Sequence, residues 1–196
     1  MKEDEIIPEN IKGIQTNTES EVELADEDAA KEFYQVVKNR LLHVNQWHEL
    51  AGKASAEFSL TDKNGKNVER WAQAGDHISI DIPGPGTITG EGKDWVHIEE
   101  IHDENETLMI TVRPASNPRN DRKDVAHFFS DEATSSFMIK RKGSKVMAAV
   151  YGRNEKPNTN TETTVDKIRN TTVATGAISG FSKLQWKALV EGLVKI

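Results

Sequence analysis

The chain has 196 residues, no cysteine, 36% hydrophobic residues and a formal net charge of −7. That length suits one domain whose core is large enough to need neither disulfides nor a structural metal, and the lack of cysteine excludes disulfide bonds, thiolate nucleophiles and cysteine-ligated metal. No apolar run approaches the roughly 20 residues that span a bilayer. The opening stretch, MKEDEIIPEN, lacks the basic region and apolar core of a signal peptide, so the expected location is cytoplasmic.

The charge is uneven. Ten acidic residues and two lysines fall within positions 1–28, a local net charge of −8, and the remainder is close to neutral. A phosphate backbone needs a concentrated positive face, so nucleic acid is not an expected partner. Residues 1–19 show weak periodicity and are expected to form a mostly irregular acidic segment that keeps the chain hydrated, ahead of a single α+β domain over 20–196.

SEVEL at 20–24 alternates like a short edge strand. Positions 25–52 predict one long helix, capped by Asp26 or Asp28, whose carboxylates accept from free backbone N–H groups. Phe33, Val36, Val37, Leu41, Val44 and Trp47 make its apolar stripe, and Gly52 ends it. Ala54, Ala56, Phe58 and Leu60 then alternate with polar residues, which predicts a strand. Asn64-Gly65 is a strong hairpin signal because a type I′ turn needs positive φ at both centres, and NVERWAQ is the expected returning strand.

The most legible stretch is 77–113. Ile78, Ile80 and Ile82 share one strand face against His77, Ser79 and Asp81; Leu108, Ile110 and Val112 share another against Thr107, Thr111 and Arg113. This predicts an antiparallel sheet with a dry face and a wet face. Between them Pro83, Gly84, Pro85 and Gly86 break the sheet, which makes the 83–92 loop a candidate cavity mouth. A long polar loop over 114–133 exceeds what a connection requires. A hairpin then pairs ATSSFMIKR with KVMAAVYGR, and NEKPNTNTETT reads as a linker. Helical period returns in 165–196, with Val165, Ile168, Val173, Ala177, Phe181, Leu184 and Ala188 on one side and Gly176 and Gly180 as places where the helix could break.

A helix, six or seven antiparallel strands and a long C-terminal helix resemble the START-like superfamily of helix-grip folds, which includes polyketide cyclases and plant pollen-allergen proteins. The resemblance lies in element order. It implies a curved sheet wrapped on the C-terminal helix around a hydrophobic cavity of the kind that holds lipids, sterols or polyketides in that superfamily. One departure is that a second short helix usually follows the first, whereas here a strand is expected soon after Gly52. Lipocalin-like and cystatin-like plans stay open.

No motif declares chemistry. His48-Glu49 begins HExxH, but Gly52 holds the second ligand position, and the pairs His43/His48 and His97/His102 are spaced to point apart on a helix and on a strand respectively. No metal or other cofactor is therefore expected. Asp124, His127, Ser130 and Asp131 gather triad-type side chains without a nucleophile turn; the plainer expectation is that Phe128 and Phe129 pin the loop to the core. Arg113, Arg119, Arg122 and Lys123 form a basic segment able to fork onto an anionic headgroup. Trp47, Trp71 and Trp95 lie at segment ends, where they pack or line a pocket together with His97, Arg113 and His127. Those six residues are the expected ligand-binding set, and a small apolar molecule the expected partner. Two alternatives remain: a cyclase- or hydrolase-type enzyme using His97 or His127 as general base, and a non-catalytic protein-interaction module. A cavity walled by Ile and Phe without paired titratable groups favours the binder, and a cavity histidine hydrogen-bonded to a carboxylate favours the enzyme.

Overall fold

The computed structural model of the chain describes residues 6–52, 56–82, 86–161, 164–176 and 182–196. Seven strands, β1 (Ile14–Glu23), β2 (Glu57–Thr61), β3 (His77–Asp81), β4 (Asp94–Glu104), β5 (Thr107–Pro114), β6 (Thr134–Lys142) and β7 (Lys145–Glu155), make one sheet in the order β1-β7-β6-β5-β4-β3-β2. Every pairing is antiparallel. Helices α1 (Glu27–Leu42), α2 (Trp47–Ala51), α3 (Thr164–Gly176) and α4 (Ser182–Leu193) complete an α+β helix-grip architecture, a curved antiparallel sheet closed against its C-terminal helix.

Period two places the apolar residues on the concave face. Phe58, Ile78, Ile98, Ile110, Ile139 and Val150 meet Val37 and Leu41 of α1 and Leu189, Val190 and Leu193 of α4 in one core. A register shift between Ile98 and Glu100 helps bend the sheet. The opposite face is not simply wet, because Met109, Met138, Ala149 and Tyr151 form a second buried cluster covered by Ile6, Ile7 and Met147. The acidic leader is thus partly structured: β1 begins at Ile14, not at Ser20, and Ile6 and Ile7 lie on the sheet.

The 25–52 helix is two helices. Asp26 caps α1 by accepting the Ala29 N–H at 2.8 Å, but the chain leaves α-helical geometry at His43, makes a 3-10 turn over Val44–Gln46 and resumes as α2, so a short second helix does follow the first. Trp47 explains the break: its indole N–H donates to the Leu41 carbonyl at 3.0 Å, satisfying an acceptor that the ended helix leaves open. NVERWAQ forms no strand, only an isolated bridge from Asn67 to Thr61, and β2 pairs with β3 instead. Asn64-Gly65 still turns, with Asp62 Oδ1 accepting from the backbone N–H of Asn64 and Lys66, both at 2.9 Å, but not as the expected type I′ turn, since Gly65 has positive φ and Asn64 does not.

The C-terminal half departs most from expectation. The described residues of 164–196 hold two helices, and the expected stripe runs out of phase: Val165 is 60% exposed, Ile168 65% and Leu184 71%. Ala177, Gly180 and Phe181 lie outside the described residues, as do Pro83, Gly84 and Pro85. The inward face of α3 is Asp166, Arg169, Asn170 and Ala174, a helical spacing written in polar residues. Each has a partner. Asp166 Oδ1 accepts the Ile88 N–H at 2.8 Å. The Arg169 fork donates to Asp94 at 2.9 and 2.5 Å, and Asn170 donates to the Asn158 carbonyl at 3.1 Å. Asn158 in turn donates to the carbonyls of Val125 and His127.

The Asp94–Arg169 pair is fully desolvated, so removing one partner strands a buried charge. Asp94→Ala is expected to cost about 3–5 kcal/mol in chemical denaturation. Lys145→Ala, which breaks an exposed, solvent-screened pair with Glu21, is expected to leave the denaturation midpoint nearly unchanged.

Candidate functional site

Between the concave face, α3 and α4 lies a cavity of about 60 Å³. A single water needs about 10–15 Å³ on this scale, so the space suits a molecule of several heavy atoms. It is well below the roughly 300–1,000 Å³ of pockets for drug-sized ligands. Its walls are apolar because the sheet aims Ile78, Ile80, Val96 and Val112 inward, and Phe128 and Phe129 close one side. Its floor is aromatic: the Trp47 and Phe137 ring centroids are 4.6 Å apart, and Phe137 meets Trp186 of α4 edge-on at 5.2 Å.

Four polar side chains interrupt these walls, namely His127, Ser135, Glu155 and Gln185. His127 is held by its own loop. Its Nδ1 accepts the Phe129 N–H at 2.9 Å, which in the neutral ring leaves the proton on Nε2. Burial pushes its pKa down to about 4, with the nearby Arg169 adding to the effect and Asp94 opposing it. The imidazole is therefore neutral at ordinary pH. The Ser130 hydroxyl has no hydrogen-bond partner among the described residues, so it is not coupled to His127 as a triad serine would be.

Glu155 enters the cavity through an irregularity in β7. Strand alternation puts Gly152 on the concave face and would turn the residue three further on outward. The register with β1 slips between Ile14 and Thr16, and Asn154 takes a left-handed conformation at φ 55°, returning Glu155 to the inside. The N-terminal segment holds that kink: the Asn154 carboxamide oxygen accepts from the Ile11 and Lys12 N–H groups at 2.7 and 3.0 Å, and its backbone N–H donates to Asn10 at 2.8 Å. Gly152 makes the room. A Cβ there would sit 2.2 Å from Glu155 Oε1 and 2.4 Å from Thr16 Oγ1. The Thr16 hydroxyl donates to Glu155 Oε1 at 3.2 Å, the carboxyl's one hydrogen bond among the described residues. Burial pushes Glu155 up to about 7, against the opposing pull of Thr16 and Arg153.

Of the six residues expected to bind ligand, Trp47 and His127 line the cavity. The others lie elsewhere. Trp71 is half exposed and meets His43 edge-on. Trp95 is buried outside the cavity, its indole N–H donating to the Gly90 carbonyl while Arg119 stacks on the ring. His97 lies on the outer face against His77, with ring centroids 5.0 Å apart. Arg113 pairs with Glu99 and donates to the Asp131 carbonyl. Two arginines of the basic segment are thus engaged with protein groups, Arg113 as above and Arg119 with the Gly65 carbonyl and Asn67. Glu155 escaped sequence reasoning because it falls at the start of an apparently plain linker. Its only local signal is Gly152 and Asn154 at the end of an otherwise alternating strand.

The two buried titratable groups oppose each other as pH changes. His127 binds fewer protons folded than unfolded between about 4 and 6.5, so its contribution is present above 6.5 and is lost as pH falls. Glu155 binds more protons folded between 4.5 and about 7, so its contribution is present below 4.5 and is lost as pH rises. Glu155→Gln removes the second slope alone. Relative to the parent, its unfolding free energy is expected to rise from pH 4.5 to 7, by up to about 1.4 kcal/mol per pH unit, in denaturant titrations at a series of pH values.

No protein-family model matches the sequence, and no curated protein matches it either. Solved structures do. A hypothetical protein from Helicobacter pylori is 12% identical, with 91% of this chain and 86% of that one covered, at a TM-score of 0.55. A major latex-like protein from Panax ginseng is 12% identical over 85% of this chain and 96% of its own, at a TM-score of 0.40. A norcoclaurine synthase point mutant from Thalictrum flavum, solved with a transition-state analogue, is 12% identical over 91% and 96%, at 0.39. At such identities the likeness to the Helicobacter pylori protein shows the fold alone.

Proposed function

We propose that this protein binds or carries a small, largely apolar molecule in the cavity between sheet, α3 and α4. The observation that carries this is the wall chemistry: isoleucine, valine and aromatic side chains enclose the space, and its few polar groups are not paired with one another. Such a chamber gains from any apolar surface that replaces water in it. General-base catalysis is less well supported, since it asks for an imidazole poised near neutrality. The nitrogen His127 would use is occupied by a backbone N–H, and burial keeps the ring from taking a proton. The cavity volume favours a compact ligand over a sterol or polyketide. No helix among the described residues is long and apolar enough to cross a membrane.

Native mass spectrometry of the purified chain tests it. A small-molecule adduct is expected on the folded protein and not on the denatured one. An adduct-free mass, together with no NMR shift changes at Ile78, Phe137 or Trp186 on titration with cyclohexanol, would sink the ligand-binding reading.

A further inference from the structure

The cavity contains more than apolar wall. A carboxyl placed in such a chamber loses its hydration, and a carboxylate left with a single hydrogen bond is costly. Buried polar groups with unmet bonding capacity are rare enough in folded proteins to call for an explanation. Here three separate features serve the carboxyl: the left-handed Asn154, the missing side chain at Gly152 and the hydroxyl of Thr16. The neighbouring cation does not meet the need. Arg153 Nη1 donates instead to the Thr16 carbonyl, Asn17 Oδ1 and the Gly152 carbonyl, at 3.1, 2.7 and 2.8 Å, and its guanidinium lies over the Tyr151 ring, 5.5 Å from the centroid.

We infer that the ligand is a compact apolar amine whose protonated nitrogen binds the Glu155 carboxylate while its hydrocarbon part fills the aromatic floor. This rests on the cavity being a ligand site, and it adds the ligand's charge. An ammonium supplies both things the carboxylate lacks, a countercharge and N–H donors. An alcohol supplies one donor and no charge, and a ligand carboxylate would meet like charge. A buried ion pair is favourable only when its remaining donors are also bonded; the Ser135 hydroxyl and the Gln185 side-chain carbonyl are the acceptors available in the same lining.

The test compares cyclohexylamine with cyclohexanol, which share size and shape, by NMR titration or calorimetry on the full chain. At about pH 8 the amine is charged, as a lysine side chain is with its pKa of about 10.4. The parent protein is expected to bind the amine at least tenfold more tightly than the alcohol. Glu155→Gln is expected to abolish that preference, weakening the amine at least tenfold more than the alcohol, whose residual binding reports an intact cavity. Equal binding of the two probes by the parent, or a preference that survives in Glu155→Gln, would overturn the amine assignment and leave the cavity a ligand site. Absence of binding by either probe would overturn both.

Discussion

The bidentate contact between Arg169 and Asp94 is the constraint on which the closed form of this fold rests. A helix that covers the open end of a curved sheet ordinarily does so with an apolar stripe, which tolerates small rotations because hydrophobic contact is non-directional. Helix α3 instead presents Asp166, Arg169 and Asn170, and polar groups in a dry interface are tolerable only when every bond is made. The rotation of α3 is therefore set by hydrogen-bond geometry. Asp166 holds the 88–89 backbone, Arg169 holds the start of β4, and Asn170, through Asn158, holds the 125–127 loop that carries His127. One helix face fixes three segments around the cavity.

Outside, α3 shows the reverse pattern. Val165 and Ile168 face solvent, while the hydroxyls of Thr171 and Thr172 bond back to the carbonyls of Lys167 and Ile168. The helix is stable despite this inversion because its inward face is tied by directional bonds, one of them a desolvated guanidinium–carboxylate fork, among the stronger hydrogen-bonded contacts a protein makes.

The contrast between the buried acids separates structure from function. Asp94 and Asp166 have their oxygens met by protein donors, and each is explained by the segment it ties down. Glu155 is also buried but among the described residues has the Thr16 hydroxyl alone, and the backbone is bent and cleared of a side chain to admit it. A group shifted by desolvation and aimed into a cavity is where a binding role is to be sought. The N-terminal segment positions that carboxyl, since residues 10–12 hold the Asn154 kink that directs it inward.

Much of the fold was legible in the sequence because its determinants are local. Period-two alternation in 77–113 and in the final hairpin, the Asp26 cap and the Asn64-Gly65 turn act within a few residues of themselves, so local spacing sufficed to read strands, caps and turns, and their order pointed to the helix-grip plan. The break at His43 was not legible, because it depends on an indole from the next helix. Nor was the facing of α3, since a stripe rule that sends apolar residues inward chooses the wrong side when the inward face is polar. Its partners lie 75 residues away for Arg169 and 78 for Asp166, and the partner of Glu155 is 139 residues away. The sequence by itself determined where β2–β7 and α1 lie, because hydrophobic period and turn chemistry are carried by neighbouring residues. Only the tertiary structure decided which polar groups are satisfied and which one stands open in the cavity, because burial and hydrogen bonding are set by residues that meet only when the sheet closes.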